Sequence, residues 1–231
     1  MTLIQSQFDR VLNRIRQAEQ SCDRKGQVQL LAVSKTKPAS MIREIWLLGQ
    51  RHFGENYLQE ALGKIDSLAD LKDIHWHFIG PIQSNKTRDI ASHFQWVHSV
   101  DRLKVAKRLN DQRPDELPPL NICLQVNISG ENSKSGIALD ELSELIPTIS
   151  TFPNITLRGL MAIPAPESDT EKQRIPFQAM ADALRTLNEK HGLRMDTLSM
   201  GMTGDLEIAI QEGATMVRIG TALFGARDYN K

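Results

Sequence analysis

An α/β barrel of eight strand–helix units is the fold that this 231-residue sequence predicts. Strand-like and helix-like runs alternate along the chain, which calls for parallel strands joined by crossover helices. The repeat number and the length are those of a (β/α)8 barrel, typically about 250 residues. Polar and glycine residues also gather at the ends of the strand-like runs, where a barrel builds its active site. A doubly wound open sheet is the alternative architecture.

The first element is a helix over residues 3–22, where Leu3, Ile4, Phe8, Val11, Leu12 and Ile15 keep helical spacing. Strand-like runs follow: QLLAVS (29–34), RHFGEN (51–56), HWHFIG (75–80), QWVHSV (95–100), NICLQVN (121–127), TLRGLMA (156–162), TLSMG (197–201) and MVRIG (216–220). Helix-like stretches separate them at 39–49, 57–69, 84–92, 102–111, 139–150, 171–190 and 205–212. The proline-rich stretch at 112–121 is a connection that does not split the eightfold pattern. Residues 1–231 therefore read as one domain, with residues 1–24 a helix packed on the barrel.

Lysine plus arginine and aspartate plus glutamate each number 28, so the chain is neutral and has no bulk attraction for nucleic acid or an anionic membrane. No stretch approaches the roughly 20 apolar residues of a membrane span, and the amphipathic N-terminus lacks the apolar block of a signal peptide. Two cysteines, Cys22 and Cys123, are too few for a disulfide framework. These features fit a cytoplasmic protein.

The strand ends collect the chemistry. Lys35 stands at the tip of the first run, Glu55 and Asn56 at the second, and Asn127 at the fifth. In SMGMTGDLEIAI (199–210), Gly201 and Gly204 permit a tight turn, and Thr203 or Asp205 can cap the following helix. Gly220 and Thr221 offer a second turn. Two such turns after the last two strands match the phosphate site common in barrels. A lysine in a partly dry pocket beside a phosphate has a use: its neutral amine forms a Schiff base with an aldehyde. The phosphate-bearing aldehyde that fits best is pyridoxal 5'-phosphate (PLP). A Schiff-base aldolase is the competing use of the same groups.

LLAVSKTKP, FGENYLQE, WHFIGPIQSNK, NISGENSKSG, GLMAIP, SMGMTGDLEIAI and VRIGTALFGAR, spread over residues 31–228, resemble the pyridoxal phosphate homeostasis proteins, which are similar to the barrel domain of alanine racemase. The resemblance implies a PLP barrel of fold type III with Lys35 as the Schiff-base lysine. Lys37, two residues on, would lie on the other side of an extended chain. By the same resemblance Ser199, Gly201, Gly220 and Thr221 hold the phosphate, with Met202 beside them. Arg218 faces the pyridine nitrogen, and Asn56 and Met161 lie near the ring, as does Asn127. Thr203 stands where the family pattern has serine, and His75 where it has an acid. His75 and His77 share a strand face without an evident third metal ligand, so both read as core or pocket packing.

The resemblance also implies a carrier rather than a catalyst: a protein that carries, buffers or delivers PLP in vitamin B6 homeostasis, with apo-enzymes as partners. Racemisation needs a second acid–base group, a tyrosine in alanine racemase. Tyr57 and Tyr229 are the tyrosines here, Tyr57 reading as a packing residue and Tyr229 lying in a tail. The β domain of the racemase is expected to be missing, and a monomer is expected with it. An amino acid racemase-like enzyme is the alternative. Lys134, in SGENSKSG (129–136), is a candidate lid residue over the phosphate.

Overall fold

The computed structural model describes residues 2–130 and 135–226. Eight parallel strands close in sequence order: β1 (Gln29–Val33), β2 (His52–Glu55), β3 (His75–Phe78), β4 (Trp96–Val100), β5 (Leu120–Val126), β6 (Ile155–Ala162), β7 (Thr197–Ser199) and β8 (Met216–Ile219). Closure is made by β1 against β8, with Leu31 opposite Arg218 and Ala32 opposite Ile219. That ladder excludes the open sheet, which has two free edges.

The strands are shorter than the sequence runs suggest. Ser34, Asn56, Gly80, Gly201 and Gly220 all lie past the last paired residue, in the connecting turns. Single backbone bonds continue past the paired residues, from the Ser34 N–H to the Gly54 carbonyl at 3.0 Å and from the Arg218 N–H to the Gly201 carbonyl at 3.0 Å. Helices α1 (Leu3–Ser21), α2 (Ala39–Leu47), α3 (Leu58–Ser67), α4 (Thr87–His93), α5 (Leu103–Gln112), α6 (Leu142–Ile149), α7 (Thr170–His191), α8 (Leu206–Gln211) and α9 (Thr221–Phe224) surround the barrel. Helix α1 starts where Thr2 Oγ1 accepts from the Gln5 N–H at 3.2 Å. It buries Ile4, Phe8, Val11, Ile15 and Ala18 in the main core, one stripe at three- and four-residue spacing. It lies against α8 and α9, where Arg14 forks onto Glu207 and also donates to the Thr203 carbonyl at 2.9 Å.

The main apolar core fills the space between strands and helices. The barrel interior differs, because it is part apolar and part polar. Trp96, Cys123 and Met161 form a separate small cluster, and His77 stacks on Trp96 at 5.4 Å. His98, Ser199 and Arg218 are buried as well.

Candidate functional site

A cavity of about 300 Å3 opens at the C-terminal ends of the strands. Lys35 reaches it from the turn after β1, Asn56 from the turn after β2, and Met202, Thr203 and Gly204 from the turn after β7. Arg218, Gly220 and Thr221 complete it from β8 and the turn into α9. It sits at the lower end of the size range for small-ligand pockets, roughly 300–1,000 Å3. Asn127 borders a neighbouring cavity that shares Asn56, Ile79 and Ile163 with it.

The turn that carries Lys35 is fixed from below. The Lys37 N–H donates to the Ser34 carbonyl at 3.0 Å, closing a β-turn with Lys35 and Thr36 in the middle. Thr36 has φ +64°, a region that costs a β-branched residue about 1–3 kcal/mol. Its N–H is held by Glu60 Oε1 at 2.6 Å. The Lys64 ammonium, reaching in from α3, donates to the Ser34 carbonyl at 2.8 Å and pairs with Glu55 at 2.8 Å and Glu60 at 2.5 Å. The Ser34 hydroxyl donates to Glu55 Oε1 at 2.6 Å. Burial raises the Glu55 pKa, opposed by Lys64 and Ser34. Lys35 and Lys37 lie in this turn and not in an extended chain, so the sequence argument that sends them to opposite sides does not hold; both border one small crevice beside Gly220 and Thr221.

Arg218 is anchored by its own barrel. Nη1 donates to the carbonyl and the hydroxyl of Ser199, and Nη2 to the Ala162 carbonyl at 2.9 Å. Burial pushes its pKa down to about 10, with Asp205 opposing, so it stays a cation at neutral pH. Ser199 Oγ lies 2.7 Å from His98 Nδ1, His98 Nε2 lies 2.8 Å from His77 Nδ1, and His77 Nε2 lies 2.9 Å from His52 Nδ1. Arginine only donates. With the Ser199 hydroxyl donating to His98 Nδ1, His98 and His77 each donate from Nε2 to the next imidazole, and every donor from Ser199 to His77 has an acceptor; in the reverse order the Ser199 proton has none among the described residues. Burial lowers all three histidines, His98 to about 3 and His52 to about 4, with Arg218, His98 and His75 respectively adding to the effect on His98, His77 and His52.

Lys35, Asn56, Met202, Arg218, Gly220 and Thr221 thus share the cavity, whereas Met161, Ser199 and Gly201 do not line it. Met161 packs inside the barrel with Trp96 and Cys123. The Ser199 hydroxyl is taken up by Arg218 and His98. Gly201 has φ +92°, and a Cβ there would stand 2.6 Å from the Ala209 methyl, so this glycine lets the turn pack on α8. Neither expected cap of α8 forms: Asp205 Oδ1 accepts from the Met202 N–H at 2.6 Å, and the Thr203 side chain makes no capping bond. The first turn of α8 is instead tied through Glu207 to Arg14. His77 is a core residue, but His75 is exposed at the opposite end of the barrel and stacks on His52 at 4.7 Å. Tyr57 precedes α3 and is 52% exposed. Lys134 and Tyr229 lie outside the described residues.

Sequence reasoning passed over Lys64, Glu60 and His98. Lys64 and Glu60 carry an i,i+4 spacing on α3 that reads equally as a surface pair. His98 sits in the middle of β4, all five residues of which are buried, and a histidine within a buried run was the available signal.

Residues 7–228 match the family model described as alanine racemase, N-terminal domain. A pyridoxal phosphate homeostasis protein of Pseudomonas aeruginosa is 60% identical over 230 residues, covering 99% of this chain and 98% of that one. The chain belongs to the pyridoxal phosphate homeostasis protein family. Within the solved structures, PipY of Synechococcus elongatus with PLP bound is similar at a TM-score of 0.81 and 38% identity, over 91% of this chain and all (100%) of that one. Alanine racemase of Corynebacterium glutamicum shares the barrel fold at a TM-score of 0.67 and 20% identity, over 96% of this chain and 62% of the racemase chain.

Proposed function

We propose that the chain binds PLP in the C-terminal cavity, holds it as a Schiff base on Lys35, and carries, buffers or delivers it to apo-enzymes without substantial turnover. The observation that carries this reading is the shared cavity: a lysine amine at one wall, a guanidinium at another, and two hydroxyl- and glycine-bearing turns between them. The names of the curated relatives and the PLP found with PipY support it.

The residues present fit the cofactor. Asn56 Oδ1 is buried without a hydrogen-bond partner among the described residues, which leaves an acceptor facing a donor yet to come. Thr203, Gly204 and Thr221 line the cavity, and among the described residues no acceptor takes their backbone N–H groups, which suits a phosphate. Ser199 and Gly201 serve from behind, one holding Arg218 and the other seating the turn.

PLP supplies an aldehyde for the amine and a pyridine ring that withdraws electrons best when its nitrogen is protonated. Arg218 is a cation with donors only, so beside that nitrogen it favours the unprotonated ring. Among the described residues no tyrosine reaches the cavity as a second proton carrier. Both points support a holder of PLP over a catalyst. The test loads the protein, adds a defined apo-enzyme and includes a trap for free PLP. Reactivation that survives the trap supports delivery. Reactivation abolished by the trap limits the protein to buffering.

A further inference from the structure

We propose that the buried Lys64–Glu55–Glu60 cluster is the positioning device that selects Lys35 over Lys37 for the aldehyde. This rests on the reading of Lys35 as the Schiff-base lysine and deepens it. Two lysines stand two residues apart in one turn and border the same crevice beside Gly220 and Thr221. Sequence position does not separate them, and neither does exposure, since both are half-buried.

The cluster touches the residues on both sides of Lys35. On the N-terminal side, the Ser34 carbonyl takes Lys64 Nζ and the Ser34 hydroxyl binds Glu55. On the C-terminal side, Glu60 takes the Thr36 N–H and so holds a threonine in the left-handed region. Lys64 joins the two halves, because its ammonium meets both carboxylates. Its side chain is 7% exposed and that of Glu55 is 0% exposed. A lysine is desolvated to this degree only when its partners repay the loss. The clamp therefore fixes the backbone direction at Lys35. Lys37 is tethered elsewhere: its Nζ donates to the Ala226 carbonyl at 2.7 Å.

In the selected step the Lys35 nitrogen attacks the aldehyde carbon, the C=N bond forms, and the aldehyde oxygen leaves as water. Borohydride then delivers hydride to that carbon and fixes the adduct for mapping. The experiment loads wild type, Lys64→Met, Lys64→Arg and Glu60→Gln with PLP, reduces each, and quantifies pyridoxyl peptides, with circular dichroism as the check on folding. The expected wild-type adduct is on Lys35. Lys64→Met should lower the Lys35-to-Lys37 ratio on the order of tenfold, the scale of one lost charge-assisted hydrogen bond. Lys64→Arg should restore much of it, and Glu60→Gln should lower it less. A purely structural role would change the melting temperature and leave the ratio alone. If Lys64→Met does not fold, Glu60→Gln decides, since its site is partly exposed. An unchanged ratio in every folded variant overturns the clamp while leaving Lys35 assigned. A wild-type adduct away from Lys35 overturns the underlying reading instead.

Discussion

Arg218 Nη1 lies 2.8 Å from Ser199 Oγ, and that contact ends a file of hydrogen bonds running through the barrel interior to His52. The file does not conduct protons into the cavity, because it stops at a group that does not give up its proton at ordinary pH. It fixes the guanidinium that borders the cavity.

His98→Leu removes the acceptor for the Ser199 hydroxyl, whereas His98→Asn keeps an acceptor near the Nδ1 position. With Leu, PLP should leave the loaded protein up to about tenfold faster, the upper end for a lost hydrogen bond between neutral groups. With Asn the release rate should stay near that of wild type. Stopped-flow absorbance of the bound cofactor checks both, and equal rates for Leu and wild type would remove the file from PLP retention.

The same histidines set an acid limit on stability. Each is held neutral in the fold, His52 to about 4 and His98 to about 3, while unfolded histidine protonates near 6.5. Below about pH 6.5 the unfolded chain binds more protons, so stability falls with pH down to the folded values and is fully present above 6.5. The slope is about 1.4 kcal/mol per pH unit for each such histidine. Urea titrations at several values between pH 7 and 5 should show a falling midpoint, and the fall should be shallower in His98→Leu.

Lys64→Met leaves Glu55 buried without its cation. Removing one partner of a buried pair costs about 3–5 kcal/mol, so denaturant unfolding at pH 7 should shift by that order. Glu55→Gln together with Lys64→Met should lose less than Lys64→Met alone, because the charge left without its cation is then the partly exposed Glu60 and not the fully buried Glu55.

The barrel closure and the lysine at the first strand tip were legible because each rests on a local pattern: eight alternating runs, and one charged residue ending an apolar one. Arg218 and the turns at Thr203–Gly204 and Gly220–Thr221 were legible through their motifs. The clamp was not, since Lys64 is a lysine on a helix until β2 and the first turn are brought beside it. Ser199, assigned to the phosphate by the family resemblance, stands back from the cavity, with its hydroxyl turned inward to Arg218 and His98. Asp205 misled as a cap because its carboxylate is spent on the Met202 N–H.

Gly80 follows β3, and a Cβ there would stand 2.0 Å from the Asn56 carbonyl oxygen. Gly80→Ala must push the Asn56 turn away from the barrel. The expected result is a loss of about 1–3 kcal/mol in stability, the cost of overpacking, with weaker PLP binding by equilibrium dialysis. Unchanged binding would show that Asn56 does not contribute an acceptor.

The Schiff base itself is checked by absorbance. Lys35→Ala should lose the band of the bound imine and still retain PLP weakly through the phosphate turns. An unaltered band would move the attachment to another lysine.

Whether PLP is held here without substantial turnover is read from hydrogen exchange at Cα. Loaded protein is incubated in heavy water with L-alanine, D-alanine and a panel of other amino acids, and deuterium at Cα is followed by mass spectrometry. The expected result is incorporation far slower than enzymatic turnover. Incorporation at roughly 1 per second or faster would contradict the account and establish an enzyme.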